Sequence, residues 1–174
     1  MIENIILDAS SIICIKEIKA QNLFKKICKC NNLNVIIPNA VYVEINRKTL
    51  NKLVINMVKK GFIKKSKPPY SIYTELKRRY PRLGVGELEA IAIAKSNIYQ
   101  DCIIIFDDSE ATKTASKLNL VSHGLIWFLK KCFLNKILTK EEVLTLLLKI
   151  EKSNFRIKPS IIKNTKRSIE KYKI

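Results

Sequence analysis

The chain has 174 residues, 47% of them hydrophobic and 28% charged, with 33 Lys and Arg against 15 Asp and Glu for a net +18. That length suits one domain burying roughly 70% of its unfolded surface, and the composition excludes disorder across the chain. Apolar runs such as Ile103 to Phe106 fall far short of the ~18 residues of a membrane span. Glu3 and Asp8 stand where a signal peptide needs basic residues, so a cytoplasmic protein with no membrane partner is expected.

The five cysteines, Cys14, Cys28, Cys30, Cys102 and Cys132, are odd in number and show no C-x-x-C spacing. With the lone His123, they offer no zinc-knuckle pattern and read as small buried hydrophobes.

In chain order, Ile5-Ile6-Leu7 predicts a short buried strand ending at Asp8, and Ser10 or Ser11 caps the helix that follows. A second helix is expected over about 20–30. Val35-Ile36-Ile37 is a second buried strand, stopped by Pro38, with helices over about 39–48 and 49–60, the latter ended by Gly61. Lys64 to Tyr70, with Pro68-Pro69, reads as a loop. A basic helix follows over about 71–80, and residues 84–97 form a helix apolar nearly all round, hence buried. Cys102 to Phe106 is the strongest strand and runs into Asp107-Asp108. A helix over about 109–118 and a brief strand at Leu120-Val121 come next. Helices over about 125–134, 140–151 and 160–172 complete the chain. Short buried strands alternating with helices predict an α/β domain around a small parallel sheet.

The charge is unevenly distributed. Residues 46–82 hold 12 basic residues, among them Arg47, Lys48, Lys64, Lys65, Lys67, Arg78, Arg79 and Arg82, and one acid, Glu75. Residues 152–174 hold eight basic residues and one acid, Glu170, so these two segments carry the whole net charge. Clustering of this kind points to a polyanionic partner. Codon bias toward Lys, Ile and Asn explains the number of lysines better than their clustering.

The acids are placed more tellingly. Asp8 ends the first strand, and Asp107 and Asp108 end the strongest one. Ligands of parallel α/β sheets sit beyond such carboxyl ends. Glu44 lies within Val41-Tyr42-Val43-Glu44-Ile45, and Glu87 and Glu89 lie at the start of the buried helix. Grouped carboxylates among apolar residues repel unless a divalent cation neutralises them, and hard oxygen ligands suit Mg²⁺ or Mn²⁺. Such a site beside a basic surface suits phosphodiester hydrolysis. Each acid also has a plainer reading: Asp8 and Asp108 as helix caps, Glu44 as a surface residue, Glu87 as a helix N-terminal charge. A spacing of two on a helix turns Glu87 and Glu89 to opposite faces, with Glu87 on the face of Ile91 and Ala94.

The ordered set resembles the PIN-domain nucleases: Ile-Ile-Leu-Asp8-Ala-Ser10, Val-Ile-Ile-Pro38-Asn-Ala-Val-Tyr-Val-Glu44, Gly86-Glu87-Leu-Glu-Ala90 and Ile-Ile-Ile-Phe-Asp107-Asp108. With His-Gly-Leu-Ile-Trp127 and Phe155-Arg-Ile-Lys-Pro159, the chain looks most like a PIN-like subfamily similar to VapC-type toxins. The resemblance implies a three-layer α/β/α fold over residues 1–174, with a basic insertion at about 46–82 and a basic C-terminal helix at about 159–174. It implies an Mg²⁺- or Mn²⁺-dependent endoribonuclease, the homodimeric toxin of a toxin–antitoxin pair, with RNA and an antitoxin protein as partners. Asp8, Glu44, Glu87 and Asp108 would hold the metal, register favouring Asp108 over Asp107, and Ser10 would orient a ligand. Lys64, Lys65, Lys67, Arg78, Arg79 and Arg82 would grip the RNA backbone. Two departures stand out: Ser109-Glu110 where many relatives carry a basic residue, and Glu87 where many toxin relatives use Asp. The competing reading is a catalytically silent module of the same fold that binds nucleic acid or an antitoxin. A Rossmann-type nucleotide site is not supported, because Gly84-x-Gly86 lacks the third glycine and follows no strand.

Overall fold

The computed structural model describes residues 3–30, 33–47 and 52–172. Lys48, the first residues of the helix expected from 49, and Lys173 lie outside them. The elements are β1 (Glu3–Leu7), α1 (Ala9–Glu17), α2 (Asn22–Cys28), β2 (Leu33–Pro38), α3 (Asn39–Arg47), α4 (Lys52–Lys59), β3 (Lys64–Ser66), α5 (Tyr70–Arg79), α6 (Val85–Lys95), β4 (Cys102–Ile105), α7 (Ser109–Lys117), β5 (Val121–His123), α8 (Leu125–Leu134), α9 (Lys140–Glu151) and α10 (Pro159–Glu170).

Among the described residues the strands form one five-stranded sheet in the order β3-β2-β1-β4-β5, every pair parallel. Strand alternation divides the core into two layers. Ile5, Leu7, Val35 and Ile37 face one way, onto α1–α4 and α8–α10. Ile6, Ile36, Ile104 and Phe106 face the other, onto α5–α7. The result is the expected α/β/α sandwich. No helix of the described residues is long and apolar enough to cross a membrane.

Two sequence expectations change. Lys64 to Ser66 is not loop but the edge strand β3, paired with Ile36 to Pro38 of β2. Two lysines and a serine carry little strand propensity, so β3 owes its form to backbone pairing with an apolar neighbour. Pro38 is the last residue of β2 and α3 begins at Asn39, where the sequence places the stop and the helix. Among the cysteines, Cys14 and Cys132 are buried, whereas Cys30 and Cys102 are only partly so.

The order of the strands matters for function. The chain lays down β1, β2 and β3 in one direction, then crosses to place β4 on the other side of β1. The crevice at such a reversal, beyond the strand ends, is where parallel sheets bind ligands. Asp8 and Asp107 stand there, after β1 and β4.

Candidate active site

Asp8 follows β1 and is the N-cap of α1. Its Oδ2 accepts from the Ser10 hydroxyl at 3.0 Å and from the Ser10 backbone N–H at 3.4 Å. Burial pushes its carboxyl above the ordinary 3.8; the Ser10 bonds pull against that, and the Glu44 charge adds to it. Asp107 is tied by both oxygens: Oδ2 accepts from the Ser11 hydroxyl and Oδ1 from the Leu125 N–H, each at 3.0 Å. It thereby joins α1 to the N-terminus of α8. Burial raises its pKa, and the Asp8 charge contributes. Asp108 is exposed and caps α7, its Oδ1 accepting from the N–H groups of Glu110 at 2.7 Å and Ala111 at 2.9 Å.

Glu87 curls back over the start of its own helix, where Oε2 accepts from Gly84 N–H at 2.8 Å. Burial raises its pKa, and the charges of Asp8, Asp108 and Glu110 add to the effect. Glu89 reaches across to α3, accepting from Ala40 N–H at 2.7 Å. A cleft of about 830 Å³ gathers these groups, with Asp8, Ser10, Glu44, Glu87, Glu89 and Arg47 in its walls. Gly86 closes the packing. A Cβ there would meet Val41 Cγ2 at 3.1 Å and Asp8 Oδ1 at 3.4 Å, so glycine lets α6 approach α3 and the Asp8 carboxylate.

Glu87 and Glu89, expected on opposite faces of α6, turn to different partners, the N–H groups of Gly84 and Ala40. Both line the cleft. The 200° rotation holds for a helix body, but Glu87 lies in the first turn and bends over the helix end, while Glu89 extends sideways to a neighbouring helix.

Of the sequence-nominated residues, the cleft brings together Asp8, Ser10, Glu44 and Glu87. Asp107 does not line it but is tied to α1 through the Ser11 hydroxyl, and Asp108 bears on Glu87 electrostatically without lining the cleft. Ser10 holds Asp8. The basic residues lie elsewhere: Lys64 and Lys65 on β3, Lys67 after it, Arg78 and Arg79 on α5, Arg82 just before Gly84, all exposed. Ser11, fully buried, and Arg47 were missed. The signal for Arg47 was its place one turn beyond Glu44. Ser11 had none, because its partner lies 96 residues away. Phe128 is core, and Trp127 packs against it while stacking on His123 with ring centroids 3.9 Å apart.

Among the described residues, no three His, Cys, Asp or Glu side chains are grouped closely enough to hold a metal ion. Asp8, Asp108 and Glu87 are turned onto N–H groups at helix starts. The donor set nevertheless fits a hard divalent cation in chemistry. Its oxygens are carboxylates, and burial and mutual repulsion raise Asp8 and Glu87, a cost that a cation relieves.

The sequence model of the PIN-domain family matches residues 4–171. Neither a curated protein nor a solved structure matches the chain.

Proposed function

The chain belongs to the PIN-domain family, a family of nuclease fold, and from that premise we propose that it is a metal-dependent endoribonuclease. The observation that carries the reading is the cleft at the reversal point of the sheet, which Asp8, Glu44 and Glu87 line from the ends and flanks of α1, α3 and α6.

Asp8, Glu44, Glu87 and Asp108 would hold Mg²⁺ or Mn²⁺. Asp108 engages its helix through Oδ1 alone, whereas Asp107 uses both oxygens, which makes Asp107 the positioning residue of the pair. When bound, the cation supplies Lewis acidity toward a phosphodiester and lowers the pKa of water. The chain's own residues do the rest. Ser10 fixes the rotamer of Asp8, Ser11 and Leu125 N–H fix Asp107, and Gly86 allows α6 to close on Asp8. Arg47, in the same wall as Glu44, offers a guanidinium to a phosphate entering the cleft. Exposed Lys64, Lys65, Lys67, Arg78, Arg79 and Arg82 attract the backbone of the polyanion without reading its sequence. The likeness to VapC-type toxins supports the finer reading of a homodimeric toxin held by an antitoxin.

One observation favours the silent-module reading: Asp8, Asp107, Asp108 and Glu87 each already serve a helix start or an interhelix tie. Incubation of the purified chain with labelled single-stranded RNA separates the two readings. Cleavage that requires Mn²⁺ or Mg²⁺ and stops with EDTA is expected. Intact RNA under every metal condition overturns the nuclease reading.

A further inference from the structure

The edge of the sheet carries a second cleft, of about 500 Å³, on the far side of α3 from the acidic one. Its walls include Tyr42 of α3, Tyr99 from the connection between α6 and β4, and Lys59, Lys64 and Lys65. Adjacent residues of a strand point to opposite faces, and β3 uses this alternation. Lys65 sets its ammonium 4.7 Å from the centroid of the Tyr42 ring, on one side of the sheet. Lys64 sets its ammonium 5.8 Å from the centroid of the Tyr99 ring, on the other. The two rings pack against opposite core layers, so they are anchored from behind. Two half-buried rings therefore flank the edge strand, with a flexible cation over each. Nothing in the capping and carboxylate geometry of the acidic cleft uses them.

We propose that this β3-edge cleft is a base-stacking seat for single-stranded RNA, in which Tyr42 and Tyr99 take unpaired bases and Lys59, Lys64 and Lys65 take the flanking phosphates. Interleaved rings and cations are what a single strand requires: every base has a face to stack, and every nucleotide a charge to neutralise. A duplex keeps its bases stacked on each other and offers the rings nothing. An acidic peptide would use the lysines and leave the rings idle. On binding, each ammonium moves from ring face to phosphate and vacates the face for a base. Helix α3 is the wall between the two clefts, Tyr42 on one side and Glu44 on the other. A side-chain-covered helix is about 10–12 Å across, within the span of a short extended strand. The proposal rests on the nuclease reading only for the choice of RNA as the polyanion.

The test is binding of a fluorescent oligouridylate of about 12 nucleotides in EDTA, where nothing is cut. Tyr42→Leu and Tyr99→Leu, which keep apolar packing, should each weaken binding about 5- to 150-fold. Tyr42→Phe and Tyr99→Phe should bind as the wild type does. An abasic oligomer of equal charge should bind all five proteins alike, and Lys64→Gln with Lys65→Gln should weaken both ligands. Thermal melts of the variants control for folding, with the Phe variants as the matched pair. Equal losses on the oligouridylate and the abasic strand, no loss in either Leu variant, or equal competition by duplex RNA or poly-glutamate would overturn the stacking seat. A chain that binds through the rings but cuts no RNA sinks the nuclease reading alone. A chain that cuts RNA while both Leu variants bind normally sinks this proposal alone.

Discussion

Helix α3 separates two clefts of opposite construction. On one side, Asp8, Glu44, Glu87 and Glu89 project from the starts and flanks of three helices at the carboxyl ends of central strands. On the other, lysines and tyrosines line an edge strand of three residues. The acidic cleft is tightly held: its carboxylates are hydrogen-bonded to Ser10, Gly84 and Ala40. The basic surface is exposed and loosely held, its cations resting on ring faces. The contrast is physical. Like charges brought close and half-buried repel at short range, so their positions must be enforced by capping bonds. Spread cations in water repel weakly and are screened within ~10 Å at 0.1 M salt, so the surface needs no such scaffolding. Substitutions on the acidic side should therefore act through geometry, and those on the basic side through salt.

The largest effect should come from Asp8→Asn. Asparagine caps a helix as well as aspartate, so the fold persists while a proposed metal ligand is lost. Cleavage should fall by more than the about 100-fold typical of losing an outer partner of a metal site, and the melting temperature without divalent ions should rise. Undiminished cleavage would break the assignment of the acidic cleft.

Gly86→Ala tests how closely that cleft is built. The added methyl would press on Val41 and the Asp8 carboxylate, so a loss of about 1–3 kcal/mol is expected from overpacking, read as a lower urea midpoint at unchanged slope. An unchanged midpoint would show that α6 shifts freely and that the cleft is not fixed by this contact.

The pH dependence sharpens the electrostatic side of the contrast. Asp8, Asp107 and Glu87 all have folded pKa values raised above their ordinary 3.8 to 4.5. The folded chain thus holds protons more tightly than the unfolded one. The stabilisation this brings is complete below the ordinary values and is lost as pH rises through the raised ones. Without divalent ions, the melting temperature should decline over that window, less steeply in Asp8→Asn, and Mg²⁺ should flatten the decline. A wild-type slope equal to that of Asp8→Asn would show that the clustered charge costs nothing.

The smallest change in stability should come from the basic side. Replacing Arg78, Arg79 and Arg82 together by Gln should leave the melting temperature nearly unchanged, since exposed substitutions alter stability by about 0.5 kcal/mol or less. RNA affinity should nevertheless weaken, and the log–log salt slope should flatten by about 0.7 for each phosphate no longer neutralised. A slope identical to that of the wild type would remove these arginines from the RNA path.

Most of the fold was legible along the chain. The apolar triplets of β1 and β2, the Cys102 to Ile105 run of β4 and the all-round apolar α6 are local signals that burial on both faces writes into consecutive residues. So was the nomination of Asp8, Glu44 and Glu87, because an acid at the end of an apolar strand or within an apolar helix stands out against its neighbours. The match of residues 4–171 to the PIN-domain family agrees with the fold read from the chain. Tertiary structure decided what depended on distant partners. Lys64 to Ser66 became a strand because β2 lay beside it, not because lysines favour extension. Glu89 joined the cleft because Ala40 N–H, 49 residues earlier, required an acceptor. Ser11 became the anchor of Asp107 across 96 residues. Hydrophobic pattern is a property of neighbours in sequence and can be read there. Hydrogen bonds across the fold and charge repulsion in a cleft are properties of neighbours in space, and they exist only once the chain has closed.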